Sequence, residues 1–320
     1  MDSFLVIQTA FLGDVILATP VISELKRLYP NSKIDVVVRK DAKSLIENHK
    51  DVSEVIVFDK SKGKFKALKE VLSKTRLKEY DEIINLQRYF SSGVISMFSK
   101  GKRKIGFNKN PLSLHYNKKF KHQIGDGTHE VERNLKLIAH HGAEKKVKPS
   151  LYPSDADIEK TIKYKSKDYY CLAPASIWET KQLPVRKWIE LGNKLLDTGV
   201  VYLIGGPNDE KLCSEINKAL DNKAINLAGK LTLMQSAALI KDAKRSFVND
   251  SAPLHISSAM NTPTTAYFCS TIPSFGFGPL ADDSNIVESI KALECRPCGI
   301  HGKKECPLKH FECGHSITIN

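Results

Sequence analysis

The sequence has 320 residues, of which 41% are hydrophobic and 27% charged, as is typical of a soluble globular protein with apolar cores. No apolar run approaches the roughly 20 residues of a membrane-spanning helix. The start, MDSFLVIQ, lacks the basic segment of a secretory signal, so we expect a cytoplasmic protein. The formal net charge of +13 favours anionic partners, although an ordinary lysine-rich surface explains it equally well.

Strand and helix patterns alternate along the chain. In the first half, short apolar strands are predicted at 4–8, 34–38, 55–58 and 82–86, with a helix at 15–28. In the second half, strands are predicted at 169–173, 200–204, 224–227 and 246–249, with helices at 187–197, 209–220 and 232–242. Short apolar strands separated by helices predict buried parallel sheets covered by helices.

The pattern restarts near residue 168, after a polar stretch at 155–167. We therefore predict an α/β fold with two Rossmann-like domains at 1–160 and 161–295, followed by a cysteine-rich tail at 296–320. In open α/β sheets the ligand lies beyond the carboxyl ends of the strands, so side chains directly after strands are the candidates. Two such domains facing each other would form a cleft.

The first strand leads into the turn QTAFLGD, which holds a single glycine, Gly13, followed by Asp14. A dinucleotide-binding turn needs several glycines for close approach of the pyrophosphate, so a nicotinamide or flavin enzyme is disfavoured. Asp14 stands where the helix begins. It can serve the helix as a first-turn acid, or it can act as a general base at the mouth of a cleft.

Two loops in the second half carry polar side chains directly after strands. The loop at 174–183 contains Ser176 and Lys181, and a lysine there can neutralise a diphosphate, although most loop lysines are merely solvated. The turn beginning at Gly205 ends in the acids Asp209 and Glu210, which can cap the next helix or bind ribose hydroxyls.

The most informative stretch follows the strand at 246–249. Asp250 and Ser251 are good helix caps, and Ala252 is small enough to let a ligand approach the first N–H groups of the helix. Such a helix start is a ready anion site. His255 lies in the first turns of the same helix, where it packs or contacts a ligand.

Several motifs, in chain order, resemble glycosyltransferase family 9, the ADP-heptose:lipopolysaccharide heptosyltransferases. They are Gly13-Asp14 with Thr19-Pro20, the segment HEVERNL at 129–135, the Lys181 loop, Gly205-Gly206, and Asp250-Ser-Ala-Pro-Leu-His255 with Pro263. The resemblance covers most of the chain. It implies the two-domain GT-B type of α/β fold and an inverting glycosyl transfer that needs no metal or other cofactor for catalysis.

The resemblance also implies roles for single residues. It makes Asp14 the general base and Lys181 the lysine that binds the donor diphosphate. Further donor-binding positions are implied at Ser176, Glu210 (with Asp209 as the alternative), Leu231, Asp250, Ser251, Ala252 and His255. Two departures, Ser251-Ala252 in place of Thr-Gly and Ile177 in place of a hydroxyl residue, leave the donor's identity open.

The implied reaction moves heptose from ADP-heptose to the lipopolysaccharide inner core. Gly13, Arg88 and Lys104 are candidate acceptor contacts, and the basic residues between 102 and 121 would face phosphorylated lipid A or the inner membrane leaflet. One alternative keeps the family but changes the nucleotide sugar or the surface-glycan acceptor. Another is a basic nucleic-acid-binding protein, which no recognised motif supports.

Four cysteines crowd the tail in the spacing C-x2-C-x7-C-x6-C, at Cys295, Cys298, Cys306 and Cys313. In a reducing compartment such a cluster favours a structural zinc over a disulfide framework. The alternative is a set of reduced thiols packing a tail that returns to the N-terminal domain. Neither interpretation gives the cysteines a catalytic role.

Overall fold

The computed structural model describes residues 2–319 and divides into two compact units. The first comprises Met1–Ile124 with Thr128–Tyr152, and the second comprises Gly125–Gly127 with Pro153–Asn320. The second unit therefore begins several residues before the expected boundary at 160. The polar stretch after 155 contains a helix whose capping box joins Ser154 and Asp157, which is why it starts this unit rather than forming a linker.

The first unit is built on one parallel six-stranded sheet with the order β3-β2-β1-β4-β5-β6. Its strands are β1 (Ser3–Gln8), β2 (Lys33–Arg39), β3 (Glu54–Phe58), β4 (Tyr80–Asn85), β5 (Gly101–Phe107) and β6 (Lys118–Phe120). Its helices are α1 (Leu12–Ile16), α2 (Thr19–Leu28), α3 (Lys64–Thr75), α4 (Phe90–Phe98) and α5 (Glu130–Lys136). The central strands β1 and β4 are almost wholly buried. The apolar run of β1 predicts this burial, whereas β4 also buries the polar side chains of Glu82 and Asn85.

The predicted helix at 15–28 is two helices in the structure, because the chain breaks between α1 and α2. The hydroxyl of Thr19 donates to the carbonyl of Ile16 at 2.8 Å, and Pro20 has no backbone N–H to continue the first helix. The break leaves α1 as one short turn directly after β1, with Asp14 inside it.

The second unit repeats the architecture with the strand order β12-β11-β10-β7-β8-β9. Its strands are β7 (Tyr169–Ala173), β8 (Val200–Leu203), β9 (Ile225–Asn226), β10 (Arg245–Asn249), β11 (Thr264–Phe268) and β12 (Ser284–Glu288). Its helices are α6 (Asp155–Ile162), α7 (Val185–Leu196), α8 (Glu210–Ala219), α9 (Leu233–Lys241), α10 (Ala252–Met260) and α11 (Glu312–His315). Two parallel sheets covered by helices confirm the predicted α/β class.

The tail packs on the second unit, which corrects the expectation that it returns to the first. Cys313, Ile317 and Ile319 are buried in the same apolar cluster as Trp188 of α7. Lys194 holds the end of this segment by donating to the carbonyl of Ile319 at 2.8 Å. The burial of these apolar side chains drives the docking. Among residues 2–319, no helix combines the length and apolarity needed to span a membrane.

Candidate active site

Asp14 occupies the first turn of α1, immediately beyond the carboxyl end of β1. The pKa of Asp14 is raised to about 6, chiefly by burial and also by the nearby carboxylate of Glu130. The charge of Arg88 and hydrogen bonds from the backbone of Phe11 and Asp14 act in the opposite direction. The side chain is nonetheless partly exposed. A reachable carboxylate whose pKa lies close to neutrality is well suited to accept a proton.

A buried network of charged side chains supports this turn. Arg133 donates to Glu130 at 2.7 Å, and the ring of His122 approaches the same carboxylate at 3.2 Å. The guanidinium of Arg88 lies 2.6 Å from Nδ1 of His122. Burial alone would raise the pKa of Glu130, but His122 and the charge of Arg133 hold it at about 2. Glu130 is therefore ionised and keeps a fixed negative charge near Asp14.

Only some of the proposed acceptor contacts lie at this edge. Arg88 directly follows β4, which pairs with β1, so it shares the carboxyl edge of the sheet with Gly13 and Asp14. Lys104 instead lies opposite Ile83 within the sheet. Its ammonium donates to the carbonyl of Met97 at 2.6 Å, and this bond ties β5 to the last turn of α4.

In the second unit, Lys181 and Asp250 form a largely buried ion pair of 2.7 Å. The hydroxyl of Thr271, which follows β11, donates to the same Asp250 oxygen at 2.7 Å. The pair lies beside the start of α10, whose cap residue Ser251 makes no side-chain capping bond. The start of α10 places the N–H of Ala252 and the positive end of the helix dipole beside this ion pair, whereas Pro253 has no N–H and that of Leu254 donates to the carbonyl of Ser251 at 3.1 Å.

The loop that carries Lys181 is held at both of its ends. We call residues 174–183 the β7 loop. Asn249, at the end of β10, accepts from the backbone of Leu183 at 2.9 Å and donates to the carbonyl of Pro174 at 2.8 Å. Within the loop, Gln182 donates to the carbonyl of Ser176 at 2.8 Å. These bonds fix the position from which Lys181 extends.

The remaining predicted donor residues lie at the same carboxyl edge or on α10. Asp209 accepts from the backbone of Gly206 at 2.8 Å, so its carboxylate closes the turn after β8. Glu210 is exposed, which makes it the more accessible of the two acids. Leu231 is half-buried just before α9, and His255 is buried in α10.

Sequence reasoning missed the contact between the tail and the β7 loop. The hydroxyl of Thr180 accepts from the backbone of Lys303 at 2.8 Å and from Ser270 at 3.0 Å. Gly302, with φ of +76°, lies so close that an added Cβ would be 3.1 Å from both Lys181 and Thr180. Nothing in the tail sequence except its glycines hints at this close approach.

Arg296 joins the tail to the end of β11. It donates to the carbonyls of Cys269 and Thr271, each at 2.6 Å, and it pairs with Glu288 at 2.6 Å. Because Thr271 also bonds Asp250, the tail is directly connected to the ion pair that the resemblance assigns to the donor.

The four tail cysteines share one neighbourhood. Burial raises the pKa of Cys298, and the charges of Cys295 and Cys306 raise it further. Burial also raises the pKa of Cys313 to about 11, with Cys298 and Cys306 adding to the effect. Within residues 2–319, however, no three of these thiols have sulfur atoms within 4.8 Å of one another. The thiols are neighbours, but they are not gathered into a compact ligand set.

Comparison with known proteins gives concordant matches. Residues 68–311 match glycosyltransferase family 9 (heptosyltransferase). Lipopolysaccharide heptosyltransferase 3 of Escherichia coli K12 is 30% identical over 278 residues, covering 81% of this chain and 80% of that protein. Lipooligosaccharide heptosyltransferase 2 of Haemophilus influenzae is 27% identical over 315 residues, covering 90% and 89%.

Solved structures support the same fold. The E. coli ADP-heptose lps heptosyltransferase II superposes with a TM-score of 0.77 at 23% identity, covering 93% of this chain and 96% of the other. A family 9 glycosyltransferase from Veillonella parvula gives a TM-score of 0.82 at 19% identity, covering 89% and 85%. These neighbours confirm the predicted GT-B type of fold. The chain belongs to glycosyltransferase family 9, the heptosyltransferases.

Proposed function

We propose that this glycosyltransferase moves heptose from ADP-heptose to the lipopolysaccharide inner core, with inversion at the anomeric carbon. The observation that carries the proposal is the buried pair of Lys181 and Asp250 at the start of α10. The names of the matched relatives, lipopolysaccharide and lipooligosaccharide heptosyltransferases, support the sugar and the acceptor, and the similar E. coli structure named for ADP-heptose supports the nucleotide.

In the second unit, the site would hold the donor diphosphate. Asp250 engages one donor position of the Lys181 ammonium, which leaves two N–H groups for phosphate oxygens. The start of α10 adds partial positive charge without a counter-charge of its own. Together they would stabilise the diphosphate as it leaves, which is the task that a metal ion performs in other enzymes, so we propose transfer without a metal.

In the first unit, Asp14 would receive the proton of the acceptor hydroxyl. The acceptor oxygen forms a bond to the anomeric carbon while the bond from that carbon to the diphosphate breaks, and ADP leaves with the electron pair. Attack from the face opposite the diphosphate inverts the configuration. A pKa of about 6 keeps Asp14 ionised at neutral pH, yet basic enough to accept the proton.

Calorimetric titration with ADP-heptose, ADP, UDP and GDP tests the assignment. We expect adenine nucleotides to bind. Lys181→Ala should weaken their binding by about 10–100-fold through loss of a charge-assisted contact. The control Lys211→Ala, at an exposed position, should leave their binding unchanged. Asp14→Asn should bind the donor normally and transfer no sugar. Equal binding by wild type and Lys181→Ala would refute the donor site. Preference for UDP or GDP would keep the reaction but reassign the sugar, the alternative that Ser251-Ala252 leaves open.

We also propose that the enzyme works at the cytoplasmic leaflet through an apolar surface of the first unit. We call the exposed side chains of Phe65 and Phe90, with Lys60 and Lys64, the α3–α4 rim. Phe65 is 87% exposed and Phe90 51% exposed, and the Lys64 ammonium lies 5.7 Å from the Phe90 ring centre. Exposed apolar groups beside lysines suit insertion between anionic headgroups, where a lipid-linked acceptor lies.

Sedimentation with vesicles tests the rim. We expect the wild type to bind vesicles rich in phosphatidylglycerol and to bind neutral phosphatidylcholine weakly, and we expect the double variant Phe65→Ser with Phe90→Ser to lose vesicle binding. The matched control is Leu77→Ser, because Leu77 is 86% exposed just beyond the other end of α3. An equal loss of vesicle binding in the control, or no loss in the double variant, would contradict the proposed role of the rim.

We propose a structural metal in the tail, bound by Cys295, Cys298, Cys306 and Cys313. The shared neighbourhood of these thiols supports the donor set, and thiolates suit zinc or iron. The thiols would draw together on binding, without taking part in the transfer. Metal analysis of purified protein should give about one ion per chain, and Cys298→Ser should lose it and lower the melting temperature. A metal-free protein with unchanged stability in Cys298→Ser would contradict the site.

A further inference from the structure

A second group of metal-ligating side chains lies in the first unit, away from Asp14. Glu82 is near the beginning of β4, opposite Phe4 of β1, whereas Asp14 follows the other end of that sheet. His140 and His141 form a 3₁₀ turn after α5. Nε2 of His140 and Nε2 of His141 each lie 3.0 Å from a different oxygen of the Glu82 carboxylate.

The arrangement suits a small divalent ion. One ligand atom from each residue lies within 4.8 Å of the others. Zinc bound to nitrogen and oxygen at about 2.0–2.2 Å in a tetrahedron separates its ligand atoms by about 3.3 Å. Both nitrogen–oxygen distances, at 3.0 Å, are within a few tenths of an ångström of that separation. Two imidazoles and one carboxylate form a donor set that zinc, cobalt and nickel accept.

The surroundings of His141 favour a ligand role. The hydroxyl of Tyr29 lies 2.7 Å from its Nδ1, on the ring side opposite Glu82. Without a metal, Nε2 donates to the Glu82 carboxylate at 3.0 Å; when a metal replaces that proton, Nδ1 can donate its own proton to Tyr29 and leave the Nε2 lone pair for the ion. Hydrogen bonds of this kind fix the tautomer of metal-binding histidines. The Glu82 side chain is 1% exposed, so its negative charge requires a cation close by.

Arg103 now supplies that cation, with Nε 2.9 Å from the same Glu82 oxygen that faces His140. Its side chain is half-exposed and can move into solvent when another cation arrives. We propose that Glu82, His140 and His141 bind a divalent transition-metal ion of the zinc class, for which Arg103 competes. The ion would join the 3₁₀ turn to β4 and so fix the end of α5, the helix that carries Glu130.

Cobalt titration of the full chain, followed by absorption spectroscopy, separates this site from the tail. Cobalt bound to nitrogen and oxygen gives visible bands alone, whereas cysteine ligands add sulfur-to-metal charge-transfer bands. We expect one nitrogen–oxygen site in the wild type, lost in His140→Ala with His141→Ala, and weakened about 100-fold in Glu82→Gln, which preserves the shape of the side chain. His115→Ala is the matched control and should bind as the wild type does.

Replacement of Arg103, the cation that competes with the metal, gives the most decisive test. Arg103→Gln should bind cobalt about tenfold more tightly than the wild type, since the metal no longer displaces a guanidinium. This variant keeps every proposed ligand, so it tests the site even if the histidine variants fold poorly. Three outcomes would each overturn the proposal: the wild type shows charge-transfer bands and no others, wild type and Glu82→Gln bind cobalt equally, or Arg103→Gln binds it no more tightly than the wild type.

Discussion

The raised pKa of Asp14 implies that this carboxylate, the proposed general base, weakens the fold that holds it. Its pKa lies at about 6 in the folded protein, against an ordinary value of 3.8. The folded state therefore binds the proton more tightly than the unfolded state does. The resulting penalty is absent below about pH 3.8, grows between about pH 4 and 6, and is fully present above about pH 6. The difference corresponds to about 3 kcal/mol, or about 2 kcal/mol when the partial exposure of Asp14 is taken into account.

Asp14→Asn removes this penalty. We expect the variant to be more stable than the wild type by about 2 kcal/mol at pH 8, which raises the melting temperature of the first unit by about 4–8 °C. The gap should close as the pH falls from 6 to 4, because the wild-type carboxyl then becomes neutral. Thermal unfolding, monitored by circular dichroism across this pH range, measures the difference in stability, and Asp2→Asn, at an exposed position, is the control. A variant less stable than the wild type at pH 8, or a gap that persists at pH 4, would refute the reasoning.

Three further changes test the surroundings of the two sites. Glu130→Gln should move the acid limb of the kcat/KM profile below about pH 6, because Asp14 loses a negative neighbour, and a limb that stays in place would contradict this. Gly302→Ala should weaken donor binding about tenfold, because the added methyl group crowds the β7 loop. Gly299→Ala is the control and should leave donor binding unchanged. Its φ of +81° gives similar backbone strain, but its added Cβ meets no atom within 4 Å. Arg296→Ala leaves carbonyls at the end of β11 without this donor and should destabilise the second unit by about 2–4 kcal/mol in urea unfolding; a change below 1 kcal/mol would contradict that account.

Sequence patterns were most informative where chemistry is local. The β1 strand, Asp14 in the first turn after it, and the small residues at the start of α10 are each encoded within a few consecutive positions. The alternation of strands and helices predicted two parallel sheets, but it missed the strands β5, β6 and β12. The single helix expected at 15–28 was wrong because a side-chain bond from Thr19 ends α1, and helical periodicity does not register such a bond.

The supporting residues were harder to identify, because they come from distant segments. Glu130 lies in a recognised motif, but its influence on Asp14 depends on a contact made across more than a hundred residues. Thr271 bonds Asp250 from the segment that follows β11, and Gly302 meets the β7 loop only after the tail docks. Periodicity fixes which face of an element is buried, but it does not specify which loop ends meet.

The docked tail has a consequence for how the protein is made. All elements of the first unit lie before residue 153, so its sheet can close while the ribosome is still adding the second half. The core of the second unit needs Ile317 and Ile319, which emerge last among the described residues. Until they do, α7 exposes apolar surface and the β7 loop lacks the backbone of Lys303. The proposed proton acceptor, Asp14, can therefore be in place on the nascent chain well before the proposed nucleotide site is completed.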